Sequence, residues 1–273
     1  MDDVFPRPIR LPGQPEPPRE VHEERRHAQP EIVDEPIDAY GAEAAAADLA
    51  ERLDQVRSGA PRVTDGGVDL LSPPFTPGRD RVEGPEWARP ALVVFGAHGT
   101  PSSRPLGRVL AAVRTRHPAT VALAWRHFPD PAAHPRASLL ALAAEAAAAQ
   151  GRFWALTREL LAARHHDPSD LSAVMVRAGL DPARTLDAMR AGTGADRIVA
   201  DTTSALASAV VFSPALFIDG ERYRGELEPA AVSAALMRHP SHAAEGRRTA
   251  PGPEGPAGPG LAAERPSNPG DTR

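Results

Sequence analysis

The chain has 273 residues, of which 41% are hydrophobic, 31 are proline and none is cysteine, and its formal charge is −5. The lack of cysteine excludes disulfides, zinc–thiolate sites and thiol nucleophiles from this sequence. The acidic balance, without lysine or a concentrated basic patch, argues against a nucleic-acid partner.

Prolines crowd residues 1–36, where both charge signs mix without periodicity, so this stretch is expected to be disordered. Residues 37–57 follow as a helix, with Ile37, Tyr40, Leu49, Leu53 and Val56 near helical spacing among many alanines. A helix of this length is marginal alone in water and is expected to dock, first of all on its own domain. Residues 58–78 read as a Pro/Gly-rich linker.

A dense block then runs from 79 to 238. Ala91 to Phe95 is a short apolar run ended by Gly96, the pattern of a buried strand. Pro101 to His117 is helical, with Leu106, Val109, Leu110 and Val113 on its apolar face. Thr120 to Phe128 is a second strand, so this first unit is βαβ, and its crossover is expected to be right-handed. Helices are expected at 135–150, 153–164, 168–178, 182–191 and 195–207. Ala215 to Ile218 is a strand, Asp219-Gly220 a hairpin turn, and Arg222 to Arg224 the return strand. Glu228 to Met237 is a final helix with Pro229 in its first turn. Residues 239–273 return to Pro, Gly, Ala and charge and are expected to be a disordered tail. The longest apolar run, Leu139 to Ala149, is interrupted by Glu145 and is too short to cross a bilayer. The acidic first residues offer no secretory signal, and a cytoplasmic location is the expectation.

The element order is β-α-β, a helical insertion over about 135–207, then β-β-α. That order suggests an α/β, thioredoxin-like fold. The residues carry the likeness further. Phe95-Gly96-Ala97-His98-Gly99-Thr100-Pro101-Ser102-Ser103 resembles the stretch in which an aromatic-Gly pair precedes a Cys-Pro-x-Cys motif in DsbA-like proteins. Trp125-Arg126-His127-Phe128-Pro129 with His134-Pro135 resembles that family's second-strand exit. Ala144-Glu145-Ala146-Ala147 with Gln150-Gly151-Arg152-Phe153-Trp154 is similar to its inserted helix pair. Ser213-Pro214-Ala215-Leu216-Phe217-Ile218-Asp219-Gly220 is similar to its cis-proline strand. Arg79-Asp80-Arg81-Val82-Glu83-Gly84-Pro85 resembles the lead-in to its first strand. A similar lead-in and domain occur as a tail fused to some sodium–proton antiporters, although no transporter segment is read in this sequence. The likeness covers about residues 79–238.

The resemblance places Thr100 and Ser103 where the family has its two cysteines. A hydroxyl at a helix N-terminus stays protonated and cannot exchange a disulfide, so the family's redox reaction is expected to be lost. Thr100 suits an N-cap and Pro101 an N1 position, so Thr100-Pro101-Ser102-Ser103 is a good helix start in its own right. The same free N–H groups, with the Ser102 and Ser103 hydroxyls, also suit an anion or ligand. Pro105 is positioned to kink the helix. His98 is a candidate ligand group facing the groove, while His127 and His134 are expected to orient a loop. His165-His166 is read as solvated, and Asp167 and Asp170 as helix caps. No metal-binding spacing of histidines is found.

The resemblance implies a cis bond at Ser213-Pro214 and a Ser213 backbone able to pair with an extended peptide. Two functions follow. The first is a redox-inactive module that binds a peptide or protein partner and needs no cofactor. The second is a serine-type, glutathione-dependent enzyme similar to kappa-class glutathione transferases and 2-hydroxychromene-2-carboxylate isomerases, in which Ser102 or Ser103 would hold the glutathione sulfur.

Overall fold

The computed structural model describes residues 40–60, 70–163 and 168–241. The expectations for residues 1–36, for most of the C-terminal tail, for His165-His166 and for the Asp167 and Asp170 side chains fall outside this set.

In chain order the elements are α1 (Tyr40–Gly59), β1 (Arg81–Glu83), β2 (Ala91–Gly96), α2 (Ser103–Arg116), β3 (Ala122–His127), α3 (Ala137–Ala148), α4 (Phe153–Ala162), α5 (Pro168–Arg177), α6 (Pro182–Arg190), α7 (Ala195–Ala207), β4 (Ala215–Ile218), β5 (Glu221–Tyr223) and α8 (Pro229–Arg238). The strands form one sheet in the order β1-β3-β2-β4-β5. β2 and β3 run parallel, as a βαβ unit requires, and the other neighbours are antiparallel.

Every residue of β2 and β3 is buried, so both faces of the sheet are covered. Side chains alternate along β2. Leu92 and Val94 meet α2 and α8 through Leu106, Val109, Val113, Val232 and Leu236. Val93 and Phe95 face the other way, toward Ala205 of α7, Phe217 and Leu71.

Leu71 belongs to a stretch read as linker. Residues 70–80 in fact form a strap across the second face of the sheet. Leu70 bridges to Glu221, and the Leu71 N–H donates to the Gly220 carbonyl at 2.8 Å. Ser204 Oγ donates to the Ser72 carbonyl at 2.7 Å. β1 was read only as a lead-in, and it adds an antiparallel edge strand to β3.

The inserted helices have their own apolar core. α1 completes it: Ala42, Ala46, Leu49 and Leu53 recur on one helical face and are all buried there. Arg57, near the end of α1, lies 4.3 Å over the Phe128 ring and donates to the Pro129 carbonyl. α7 ties the two cores together, with Ile198 in the helical core and Ala205 against the sheet.

Candidate functional site

α2 starts later than the sequence suggested. Its N-cap is Ser102, already in helical conformation and making no side-chain cap, while Thr100 and Pro101 form a turn in front of it. Pro105 explains the shift. A helix capped at Thr100 would need an N–H at position 105 to reach the Pro101 carbonyl, and proline has none. The first regular helical bond therefore runs from the Leu106 N–H to the Ser102 carbonyl, at 3.0 Å. Pro105 lies in the first turn, where no N–H is required, and causes no kink by losing one.

The turn holds three hydroxyls together. Thr100 Oγ1 is 3.0 Å from Ser102 Oγ and 3.2 Å from Ser103 Oγ. Ser103 Oγ accepts from the Thr100 N–H at 3.0 Å and donates to the Ala97 carbonyl at 3.2 Å. Ser103 is buried and spent on this turn, whereas Ser102 is half-buried. Ser102 Oγ donates to the Ser213 carbonyl at 3.5 Å. The start of α2 and the segment before β4 therefore meet, and the Ser213–Pro214 peptide bond there is cis. Beside them Pro214, Leu216, Arg222, Tyr223 and Leu227 line a cavity of about 280 Å³. Val211 and Phe212, just upstream, are exposed, Phe212 by 79%.

His98 is placed differently from expectation. It is 1% exposed and its ring stacks on Trp125, with centroids 4.8 Å apart, so it does not face an open groove. Trp125 also crowds Gly96: a Cβ there would come within 2.2 Å of its ring.

Behind this aromatic stack lies a buried polar network that the sequence reading did not assemble. His127 was expected to orient a loop, but it is the last residue of β3 and fully buried. Its Nδ1 accepts from the Trp125 indole N–H at 3.3 Å, and its Nε2 lies 3.1 Å from Glu145 Oε1. Those partners assign the proton to Nε2. Glu145 also accepts from Arg81 Nη2 at 2.5 Å and Nε at 3.2 Å. Burial alone pushes the Glu145 carboxyl up, but the hydrogen bonds from His127 and Arg81, with the Arg81 charge, outweigh it and hold the group at about 2. Asp201 accepts from the His127 backbone N–H at 3.0 Å. Burial pushes its carboxyl up, and the backbone hydrogen bond from His127 with the Arg79 and Arg197 charges offsets only part of that.

Arg126, next to His127, is fully buried. Its five N–H groups reach Asp80 twice, the Pro73 and Pro74 carbonyls, and Ser204 Oγ. The sequence signals were present: Arg-His inside an apolar strand, one glutamate in an alanine run, and the Asp80-Arg81 pair at the start of β1. Nothing in spacing along the chain says that they meet.

Among the described residues no group of His, Asp and Glu is arranged to hold a metal. No helix among them is long and apolar enough to cross a membrane.

No protein-family model matches the chain. The sodium–proton antiporter NhaA 3 of Salinispora tropica is 37% identical to it over 180 residues, covering 64% of this chain and 26% of the antiporter. NhaA 1 of Mycolicibacterium gilvum is 36% identical over 175 residues, covering 62% of this chain and 28% of the antiporter. The chain thus spans little more than a quarter of the length of these relatives. Among solved structures, oxidised BdbD from Bacillus subtilis superposes with a TM-score of 0.54 at 14% identity, covering 62% of this chain and 97% of that one. The alpha-DsbA1 of Wolbachia pipientis gives 0.53 at 13% identity, covering 64% and 96%. The chain has a thioredoxin-like fold of the DsbA type, with a helical insertion between the halves of its sheet.

Proposed function

We propose that this domain is a redox-inactive module that binds an extended peptide or a segment of a partner protein. The observation that carries the reading is the 3.5 Å contact between Ser102 Oγ and the Ser213 carbonyl. It pairs a hydroxyl-bearing helix start, where the resemblance to DsbA-like proteins puts two cysteines, with the segment before β4. With no cysteine in the sequence, Thr100 and Ser103 can neither attack nor form a disulfide. The backbone at Ser213 and the neighbouring cavity, where Leu216 and Leu227 stand beside Arg222 and Tyr223, suit an added strand bearing an apolar side chain. Phe212 and Val211, just upstream in the chain, are exposed.

The relatives named sodium–proton antiporters, of which the chain matches about a quarter, do not by themselves point to a binding module; a transporter-associated protein is one partner to try.

The glutathione-dependent alternative rests on Ser102, because Ser103 is buried and already bonded on both sides. Calorimetry separates the two readings. The binding module predicts no glutathione binding at millimolar concentration. It also predicts saturable binding of an extended apolar peptide, with amide shifts at Ser102, Ser213 and Ala215. Glutathione binding that disappears in Ser102→Ala would establish the enzyme reading in its place.

A further inference from the structure

We propose that a second cavity, between the edge strand β1 and the first turn of α4, binds a small ligand through a phosphate group. This inference is independent of the Thr100–Ser213 site. The cavity has a volume of about 360 Å³, and Arg81, Arg152, Arg158, Phe153, Trp154 and Asp80 are in its wall.

Charge is the first argument. Around this corner six arginines share four carboxylates, those of Asp80, Glu83, Glu145 and Asp201. Arg152 adds a further positive charge, and among the described residues no carboxylate pairs with it. A local positive surplus in a chain of net charge −5 is a property of this place, not of the composition. Asp80 does not neutralise it: its side chain is fully buried and held by Arg126 and Arg79.

The second argument is geometry. Arg81 is held by Glu145 and lies 5.6 Å over the Phe153 ring, so its guanidinium is fixed before any ligand arrives. Arg158 is anchored by Glu83 at 2.6 Å and stays 57% exposed. Arg152 is the N-cap of α4, makes no side-chain cap, and no acidic residue occupies the first turn. The amides of Phe153, Trp154 and Ala155 are the free first-turn donors of that helix, and these residues form the cavity wall. Fixed guanidinium forks and helix N-terminal amides together favour a tetrahedral dianion over a single carboxylate. The half-buried Trp154 ring, 5.6 Å from the buried Phe153 ring, leaves an aromatic surface for the rest of the ligand.

Titrating the full chain with inorganic phosphate at low ionic strength tests this, read by amide shifts and calorimetry. The expected result is saturable shifts at residues 153–155, with Arg152→Ala weakening binding about tenfold. Phenyl phosphate should bind more tightly than inorganic phosphate, and acetate more weakly than either. Arg104→Ala, at the start of α2, should change nothing. Absence of saturable shifts at 153–155 up to roughly 50 mM phosphate would overturn the proposal. So would equal affinity in Arg152→Ala, or acetate matching phosphate.

Discussion

Ser102 Oγ and the Ser213 carbonyl oxygen lie 3.5 Å apart although 111 residues of chain separate them. The turn that starts α2 and the segment that starts β4 are thus one place, made by the antiparallel pairing of β2 with β4. Ser103 stands just inside the helix and closes the turn from within, while Ser102 remains toward the cleft. The two serines therefore respond differently to substitution.

Ser103→Ala should cost roughly 1–3 kcal/mol, because it leaves the Thr100 N–H and the Ala97 carbonyl without their shared partner in a buried turn. Ser102→Ala should stay within about 1 kcal/mol of the parent, since its contact is long and half-exposed. Urea denaturation with unchanged slope measures both.

Glu145→Gln should destabilise the fold by roughly 3–5 kcal/mol, as it strips the charge that balances Arg81 and accepts the His127 Nε2–H in the interior. Asp201→Asn should be much milder: burial already disfavours its charge, and an amide oxygen can still accept the His127 N–H. Equal losses in the two variants would show that the network does not depend on the Glu145 charge.

The same carboxyl sets an acid limit. Its folded value, about 2, lies below the ordinary 4.5, so its stabilisation is fully present above pH 4.5. It falls away as the pH drops from there toward 2. Asp201, raised in the fold, acts with the opposite sign and regains stability on protonation. Thermal unfolding between pH 6 and pH 2.5 should therefore show a loss that is blunted in Glu145→Gln and steeper in Asp201→Asn.

Gly96→Ala would put a Cβ at 2.2 Å from Trp125, in a strand buried on both faces. A cost of roughly 1–3 kcal/mol is expected, with displacement of Trp125 and of the His98 ring stacked on it. Near-ultraviolet circular dichroism should report the change.

Much of the architecture was legible because β2, α2, β3 and β4 carry their burial in their own periodicity. Leu106, Val109 and Val113 mark the face of α2, and the insertion announces itself as a run of helical patterns. The exact start of α2 is not legible locally, because Thr100-Pro101 is a good local cap and the missing N–H of Pro105 acts four residues away. The strap at 70–80 leaves no mark on its own sequence, since its hydrogen bonds go to Ser204, Ser208, Gly220 and Arg126, all distant along the chain. The Glu145–His127 and Arg126–Asp80 pairs were hidden for the same reason. Each member looks like an isolated charge in an apolar stretch until the fold supplies its partner.

The proposed function rests on hydroxyls standing, at the start of α2, where the resemblance to DsbA-like proteins puts two cysteines. Thr100→Cys with Ser103→Cys, in an insulin-reduction assay beside the parent chain, decides whether they do. No activity is expected in the parent, and in the variant an internal disulfide together with measurable reductase activity. A folded variant whose two cysteines stay unpaired under oxidising conditions would contradict it.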